Sequence, residues 1–480
     1  MERMNLTMLA DFYELTMANG YLSEQMQDRT AVFDMFFRRV PADGGYAITA
    51  GLAQLVEYLE NLHFDEEDIA FLRGKNLFSE DFLAYLRHFS FHCDVWAIPE
   101  GTPVFPNEPI VVVRGPVIEA QFIETMVLLS INHQSLIATK ANRIVRAAEG
   151  RAIMEFGSRR AQGYDGAMLG ARASYIGGCH GTACTIAERE YGIPALGTMA
   201  HSWMQMFPDE LSSFRAYART YPSACTLLVD TYNVLKSGVP NAIRVFREEI
   251  VPRGFRPAGI RIDSGDIAWL SKEARRMLDE AGFPDCRIVA SNALDEFIIR
   301  DLLRQGACVD LFGVGERLIT SRSEPVFGGV YKLAAVEHDG VMEPKIKLSE
   351  NVGKITIPGF KQVWRLFDRV SGKALADVVT GHDEVISEDS PYEIFDPEYT
   401  WKRKRLANFE AKPLLVPIFE KGRRVYDSPD LADIRMHCAD GVATLWEAVL
   451  RFENPHKYYV DLSASVWQTR ERLLKEMSCG

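Results

Sequence analysis

Short apolar runs with strand character recur at regular intervals through the middle of the chain. These runs occupy positions 152–156, 195–199, 226–230, 259–262, 287–290 and 309–314. The segments between them show helical spacing and end in residues that stop helices, as at Gly282 and Gly306. Strands that alternate with helices form parallel βαβ units. Six such units favour an α/β barrel, although an open sheet fits the same pattern.

The regions before and after these alternating strands and helices have a different pattern of predicted elements. Positions 1–149 combine helical segments with a group of short strands between 95 and 113, which indicates an α+β domain. Positions 150–335 form the predicted barrel. Positions 336–480 are mixed strands followed by a final helix near 464–477.

The composition excludes several classes of protein. The chain has 480 residues, 47% of them hydrophobic and 25% charged, which is typical of a globular protein with two or three domains. A net charge of −12 argues against broad binding to nucleic acid or to a membrane surface. Because no secretory signal or membrane-length apolar run is present, we expect a cytoplasmic protein.

The cysteines show neither a CxxC pair nor a zinc-finger spacing. We therefore expect reduced thiols in a reducing compartment. Cys184 and Cys225 lie near candidate site segments, and we interpret both as packing residues. The full set is Cys93, Cys179, Cys184, Cys225, Cys286, Cys308, Cys438 and Cys479.

Polar or small residues follow every predicted strand. The carboxyl ends of parallel strands converge on one face of a barrel, where ligands bind. Polar residues after one strand, which we call the exit of that strand, are weak support for a binding site. Six polar exits together predict one shared binding site. The exits carry Gly157 to Arg160, His201 with Ser202, Asp230 to Tyr232, Asp263 to Asp266, Ser291 with Asn292, and Gly313 to Glu316.

Two of these exits suggest phosphate binding. Gly313, Val314 and Gly315 form a short glycine-containing turn whose backbone N–H groups are suited to a phosphate, particularly if a helix begins there. Ser291 and Asn292 offer further donors. The glycine motif is too short to be specific by itself.

The charged exits offer partners for an anionic substrate. The guanidinium group of Arg159 can donate two parallel hydrogen bonds to a carboxylate or a phosphate. For Arg160, a structural salt bridge and a role in binding are equally good interpretations. Asp263 is suited to ribose hydroxyls or Mg²⁺. Asp266 is interpreted as the N-terminal cap of the following helix.

His201 is the least specific of these residues. No metal-ligand spacing surrounds it, and no GxSxG elbow is present, so a metal site and a serine hydrolase are both disfavoured. The neighbouring hydroxyls of Thr198 and Ser202 favour a functional role. From the residues alone, His201 is either a general base or a phosphate-binding residue.

A basic stretch follows the barrel region. In an acidic protein it offers contacts to a polyphosphate, but a solvated face is the default interpretation. Its residues are Lys332, Lys345, Lys347, Lys354, Lys361 and Arg365.

Eight strings lie in order along the chain: YELTM at 13–17, FRRVP at 37–41, EFGSRRAQG at 155–163, GTMAHSW at 197–203, DTY at 230–232, SGVPNAI at 237–243, IDSGD at 262–266 and GVG at 313–315. Together they resemble the nicotinate phosphoribosyltransferase family of type II phosphoribosyltransferases. The likeness extends from about Asp11 to Arg365. Glu316 departs from it, because threonine is common there and a carboxylate beside a phosphate would repel it, so we leave Glu316 out of the site.

The resemblance implies an irregular parallel α/β barrel and a second α+β domain built from the N-terminal part and C-terminal pieces. We therefore expect the segments in 336–480 to pack on both. It also implies a homodimer with a shared active site. The family condenses nicotinate with phosphoribosyl pyrophosphate, giving nicotinate mononucleotide and pyrophosphate for NAD salvage. That reaction is coupled to ATP hydrolysis and uses Mg²⁺.

Residue roles follow from the resemblance. His201 matches the histidine that ATP phosphorylates, and Arg159 matches the arginine that pairs with the nicotinate carboxylate. Asp263 holds ribose hydroxyls, and Tyr13 of the neighbouring subunit covers the pyridine ring. The other predicted substrate-binding residues, of which the last four hold the 5′-phosphate, are Ser202, Thr231, Ser291, Asn292, Gly313 and Gly315.

Two alternatives remain open at this point. One is a nicotinamide or quinolinate phosphoribosyltransferase, which the strings GTMAHSW and FGSRRAQG disfavour. The other is a non-catalytic nucleotide-binding regulator on the same barrel. A barrel that no longer catalyses a reaction should have lost some of the polar residues that follow its strands, and this chain keeps them all.

Overall fold

The computed structural model describes residues 5–350 and 352–478, and it divides into two compact units. Unit 1 joins Met1–Leu136 to Val326–Gly480, and unit 2 is the continuous segment Ile137–Pro325. The boundary between them falls within the long helix Glu124–Ala147. The family-like motifs at the six predicted strand exits all belong to unit 2.

A parallel sheet forms the centre of unit 2. Ile260, Ile262 and Ile288 on its strands are fully buried, as expected for strands covered on both faces. In the described part of the chain, no backbone ladder joins the first strand of the sheet to the last, so the predicted barrel is not confirmed. In spatial order the strands are Gly181–Thr182, Ala152–Glu155, Leu311–Val314, Arg287–Asn292, Gly259–Ile262 and Thr226–Leu228.

Amphipathic helices alternate with these strands. In Ile267–Glu280, the buried residues Ala274 and Leu278 are four positions apart and face the core. Asp266 accepts a hydrogen bond from the Trp269 amide at 3.0 Å, which confirms its interpretation as the N-terminal cap. The α-helices of unit 2 are Gly163–Ile176, Thr185–Tyr191, His201–Gln205, Glu210–Thr220, Val239–Val245, Ile267–Glu280, Glu296–Arg304 and Glu316–Ile319.

The strand predicted at 195–199 is wrong. Only Ala195 forms a bridge, to Thr182, and the following residues are irregular. Side chains take the place of a neighbouring strand: the Tyr217 hydroxyl donates to the Thr198 carbonyl at 3.2 Å, and Arg261 donates to the Met199 carbonyl at 3.4 Å. The carbonyls are therefore satisfied without a ladder.

The glycine turn predicted at 313–315 is also partly wrong. Gly313 and Val314 belong to the strand Leu311–Val314. A Cβ on Gly313 would lie 2.4 Å from a carbon of the Phe156 ring, so this glycine is required by packing. Only Gly315 lies beyond the strand, directly before the helix Glu316–Ile319.

Unit 1 is built around a seven-stranded antiparallel sheet in its described residues. Its strands, in spatial order, are Val341–Pro344, Gly329–His338, Thr30–Phe37, Val111–Pro116, Asp94–Ala97, Val416–Glu420 and Arg423–Arg424. A second sheet orders Phe409–Pro413, Lys361–Asp368, Ala374–Gly381 and Val460–Leu462. Two short pairs complete the strands: Tyr392–Phe395 with Arg403–Leu406, and Ala47–Ile48 with Pro103–Val104.

Helices pack on these sheets in unit 1. The last helical region of the predicted N-terminal domain consists of two helices, Val117–Phe122 and Glu124–Ala147. The predicted C-terminal helix is Ala464–Ser478. The remaining α-helices are Phe12–Ser23, Leu52–Glu60, Glu66–Gly74, Glu80–Arg87 and Leu431–Ala443.

The basic stretch is not uniformly a solvated face. The Lys361 ammonium is buried and lies 2.6 Å from Asp34 Oδ2. Arg365 is buried against Asp377, with its Nε 2.8 Å from Oδ1. Both cations are therefore internal ion pairs of unit 1, which corrects the solvated-face interpretation at these two positions.

The described cysteines form no disulfide, and Cys184 and Cys225 are buried as packing residues. Cys479 lies outside the described residues. Among the residues that the structure describes, no helix combines the length and apolarity that a bilayer span requires.

Candidate active site

His201 lies between one hydroxyl and two carboxylates. It is the first residue of the helix His201–Gln205. Its Nδ1 atom is 3.1 Å from Thr231 Oγ1, and its Nε2 atom is 3.8 Å from Asp263 Oδ2 and 4.0 Å from Asp230 Oδ1. The imidazole is 41% exposed, so a ligand can reach it.

Asp230 is a buried carboxylate with one unsatisfied oxygen. Its Oδ2 accepts hydrogen bonds from the Asp263 amide at 3.0 Å and from Ser264 Oγ at 2.6 Å. Its Oδ1, which faces His201, has no hydrogen-bond partner among the described residues. Since buried polar atoms are almost always paired, this oxygen is available to an N–H group or a cation.

Arg261 orients Asp263. Its Nη2 donates to Asp263 Oδ1 at 3.0 Å, and its Nε donates to Ser291 Oγ at 2.8 Å. Ser291 in turn donates to the same Asp263 oxygen. Oδ1 is thus engaged, while Oδ2 is left facing His201. The sequence names Asp230 at the end of a strand but assigns it no role. Arg261 is missed, although a charged residue inside the apolar run 259–262 is a signal that identifies it.

Arg159 lies on the 3-10 turn Ser158–Arg160, beside the strand Ala152–Glu155. Arg159 and Arg160 are both exposed, and neither side chain contacts a polar partner among the described residues. A structural salt bridge at Arg160 is therefore not supported. Arg159 is free to bind an anion.

The Arg159 turn is fixed from beneath by Glu155. This fully buried carboxylate accepts hydrogen bonds from the Gly157 amide and, at 2.6 Å, from Thr182 Oγ1. Burial raises the pKa of Glu155. A Cβ on Gly157 would lie 2.6 Å from the Ile319 Cβ, so only glycine allows this close packing.

The predicted phosphate-binding residues lie at the carboxyl ends of two neighbouring strands, where Ser291 pairs with Gly313. The Ser291 hydroxyl is buried and committed to Asp263 and Arg261. Asn292 is exposed and has a φ of 136°, an unusual value for a non-glycine residue that is typical of functional sites. Phosphate binding at these positions stays a prediction.

The other predicted residues have less defined surroundings. Ser202 is exposed on the His201 helix. Glu316 lies 3.4 Å from Arg322, so its carboxylate has a cationic neighbour.

Tyr13 belongs to unit 1, where it is 43% exposed and lines a cavity of about 490 Å³. Burial, and then the nearby Glu124 carboxylate, raise the pKa of Tyr13. Its role at a pyridine ring also stays a prediction.

The carboxylates suit a Mg²⁺ ion that arrives with a substrate. The described part of the chain has no cluster of three or more side chains able to hold a metal. Mg²⁺ in phosphate-handling sites is commonly held by one or two carboxylates together with substrate oxygens. The unpartnered oxygen of Asp230 and the Oδ2 of Asp263 match that requirement.

Comparison with known proteins covers nearly the whole chain. Residues 8–132 match the nicotinate phosphoribosyltransferase N-terminal domain, residues 151–356 match the nicotinate phosphoribosyltransferase family, and residues 360–470 match its C-terminal domain. A nicotinate phosphoribosyltransferase of Bacillus subtilis is 43% identical over 473 residues, which are 98% of this chain and 96% of the relative.

Solved structures agree with this match. The crystal structure of human nicotinic acid phosphoribosyltransferase superposes with a TM-score of 0.84 at 28% identity, covering 98% of this chain and 100% of that one. The nicotinate-nucleotide pyrophosphorylase of Pyrococcus furiosus shares the fold, with a TM-score of 0.70 at 22% identity over 92% and 96% of the two chains. The chain belongs to the nicotinate phosphoribosyltransferase family.

Proposed function

We propose that this chain is an ATP-coupled nicotinate phosphoribosyltransferase in which His201 accepts the phosphoryl group. The reaction joins nicotinate to phosphoribosyl pyrophosphate and releases nicotinate mononucleotide and pyrophosphate, as a step of NAD salvage. The observation that carries the ATP coupling is the position of His201 between Thr231 and the carboxylates of Asp230 and Asp263. Membership of the family supports the transferase activity itself.

The two nitrogens of His201 have different roles in this proposal. The carboxylates of Asp230 and Asp263 attract the ring proton to Nε2 and repel an incoming phosphate there. The lone pair on Nδ1 is then the nucleophile. Nδ1 forms a bond to the γ-phosphorus of ATP, the bond from that phosphorus to the bridging oxygen breaks, and ADP leaves with the electron pair.

The remaining groups bind the other substrates. Arg159 pairs with the nicotinate carboxylate, because its guanidinium is exposed and has no internal partner. Asp263 binds ribose hydroxyls through its Oδ2, since its Oδ1 is held by Arg261. The backbone at Asn292 and Gly315 binds the 5′-phosphate, and Ser202 and Thr231 complete the predicted substrate contacts.

Departure of pyrophosphate leaves positive charge on the ribose. Fixed groups that stabilise this charge separation are the expected source of the rate, and the half-buried Asp263 carboxylate, held by Arg261 and Ser291, is prearranged for it. Mg²⁺, held by Asp230 and Asp263 together with substrate oxygens, would neutralise the pyrophosphate.

We also propose a closed α/β barrel and a homodimer in which Tyr13 of one subunit covers the nicotinate of the other. The parallel order of six strands in unit 2 supports the barrel. The dimer rests on the resemblance to the family and on the exposed position of Tyr13.

The test is pyrophosphate release from phosphoribosyl pyrophosphate with nicotinate, nicotinamide or quinolinate, each with and without ATP. We expect release with nicotinate alone among the three bases, and stimulation by ATP. Turnover of nicotinamide or quinolinate with none of nicotinate would overturn the substrate. Nucleotide binding without any pyrophosphate release would favour the non-catalytic regulator.

A further inference from the structure

The side chain of Asp295 links the segments that follow two neighbouring strands of the unit 2 sheet. Its Oδ1 caps the helix Glu296–Arg304 by accepting hydrogen bonds from the amides of Phe297 at 3.1 Å and Ile298 at 2.9 Å. Its Oδ2 accepts a charge-assisted hydrogen bond from Arg317 Nη1. Asp295 follows the strand Arg287–Asn292, whereas Arg317 follows the strand Leu311–Val314.

The Asp295–Arg317 pair is poorly accessible to solvent. The side chain of Asp295 is 15% exposed and that of Arg317 is 26% exposed, so salt and water screen their attraction less than at a surface pair. An ion pair of this kind adds little net stability, because desolvation offsets its attraction, but it fixes geometry. What it fixes is the start of the helix Glu316–Ile319, one residue from Gly315.

The adjacent carboxylate holds the far end of the same segment. Glu296 is fully buried, with its Oε2 2.6 Å from Lys140 Nζ and its Oε1 3.1 Å from Arg143 Nε. Lys140 Nζ also donates to Ser323 Oγ at 3.1 Å. Asp295 and Glu296 therefore anchor the segment 316–323 near both of its ends.

The helix Glu316–Ile319 has a second, apolar anchor at the nicotinate side. Ile319 packs directly against Gly157, which precedes the turn that carries Arg159. This contact does not depend on the ion pair. Loss of the pair should therefore release the Gly315 end of the helix and leave the Arg159 turn in place.

We propose that Asp295 and Arg317 are positioning residues that hold the backbone at Asn292 and Gly315 in register for the 5′-phosphate of phosphoribosyl pyrophosphate. The inference rests on the proposed function, which assigns the phosphate to these two exits. Neither side chain touches substrate in this account. A displacement of about 1 Å at such a subsite can cost on the order of 100-fold in efficiency.

The experiment measures kcat and both KM values in wild type, Arg317→Ala, Arg317→Lys and Asp295→Asn. The asparagine retains a side-chain oxygen for the helix cap and removes the charge, so it tests the pair even if Arg317→Ala does not fold. The matched control is Arg304→Ala, which removes an exposed arginine from the last turn of the helix that Asp295 caps.

We expect Arg317→Ala and Asp295→Asn to raise the KM for phosphoribosyl pyrophosphate by roughly 10- to 100-fold, with a change of less than about threefold in the KM for nicotinate. Arg317→Lys should restore part of the loss, and Arg304→Ala should match wild type. If wild type is active and both Arg317→Ala and Asp295→Asn keep its KM for phosphoribosyl pyrophosphate, this inference is contradicted and the proposed function is not. An equal rise in the KM values for both substrates has the same meaning. A wild type that releases no pyrophosphate contradicts the proposed function and this inference together.

Discussion

Thr231 Oγ1 lies 3.1 Å from Nδ1 of His201, on the side of the ring away from the two carboxylates. The hydroxyl and the carboxylates therefore contact different nitrogens of one imidazole. This asymmetry distinguishes the proposed nucleophile, Nδ1, from the nitrogen that retains the proton. It also gives Thr231 a role that can be tested separately from that of His201.

Replacement of Thr231 by valine removes the hydroxyl and nearly preserves the side-chain volume. We expect the initial rate of phosphoryl transfer from ATP to the protein to fall by about tenfold. The hydroxyl is released from Nδ1 when the lone pair attacks and can then donate to an oxygen of the transferred phosphoryl group, a net hydrogen bond of roughly 1–1.5 kcal/mol. Rapid-quench labelling with γ-labelled ATP measures this rate. Thr231→Ser, which keeps the hydroxyl, should stay close to wild type, and a serine variant as slow as the valine variant would rule out the hydroxyl contact.

Replacement of Arg159 by alanine should weaken nicotinate selectively. If the guanidinium pairs with the nicotinate carboxylate and bound nicotinate buries that pair, its loss costs about 2–5 kcal/mol of binding, seen as a large rise in the KM for nicotinate. Because Arg159 has no polar partner among the described residues, the melting temperature should not change. Arg160→Ala is the control on the same exposed turn. An unchanged nicotinate KM in Arg159→Ala would remove this pairing from the account.

Glu14 predicts a pH dependence of stability in unit 1. Its carboxyl group is fully buried, and burial raises its pKa from 4.5 to about 7, although hydrogen bonds from Thr125 partly oppose the shift. Ionisation is therefore harder in the folded chain than in the unfolded one. The protonated Glu14 carboxyl group therefore contributes fully to the free energy of unfolding at pH values below its pKa in the unfolded chain. That contribution is lost as the pH rises through its pKa in the folded chain.

The isosteric variant Glu14→Gln isolates this effect. Urea unfolding of wild type should show stability falling as the pH rises from about 4.5 to about 7, by about 1.4 kcal/mol per unit of pKa difference. The glutamine variant should lack this component of the slope. Equal slopes in the two proteins would mean that Glu14 does not titrate as proposed.

Sequence patterns located most of the sheet in unit 2 because each strand is an apolar run bounded by polar residues. The strand Gly259–Ile262 was predicted with its observed bounds, and the strand Arg287–Asn292 was predicted two residues short. The prediction at 195–199 was wrong because tertiary hydrogen bonds from Tyr217 and Arg261 satisfy carbonyls that local apolarity had assigned to a ladder. Such contacts between distant residues leave no periodic signal.

The candidate site was predicted as a set of exits, and the structure supplies the pairings within it. His201, Thr231 and Asp263 were named from sequence and lie together in unit 2. Asp230 was named without a role and Arg261 was not named, because the role of each depends on residues distant in sequence. Asp230 has an unpaired buried oxygen that faces His201, and Arg261 donates to both Asp263 and Ser291. Lys361 and Arg365 look like solvated cations in sequence only because their partners, Asp34 and Asp377, lie elsewhere in the chain.

The most direct measurement of the central claim is labelling of the protein with γ-phosphate-labelled ATP, in wild type and in His201→Ala, together with pyrophosphate release. We expect wild type to take up an acid-labile, base-stable label at His201 and to release pyrophosphate faster when ATP is present. His201→Ala should take up no label, and its pyrophosphate release should not respond to ATP. Label that persists on His201→Ala, or a response to ATP that survives in it, would contradict the role of His201 as the phosphoryl acceptor.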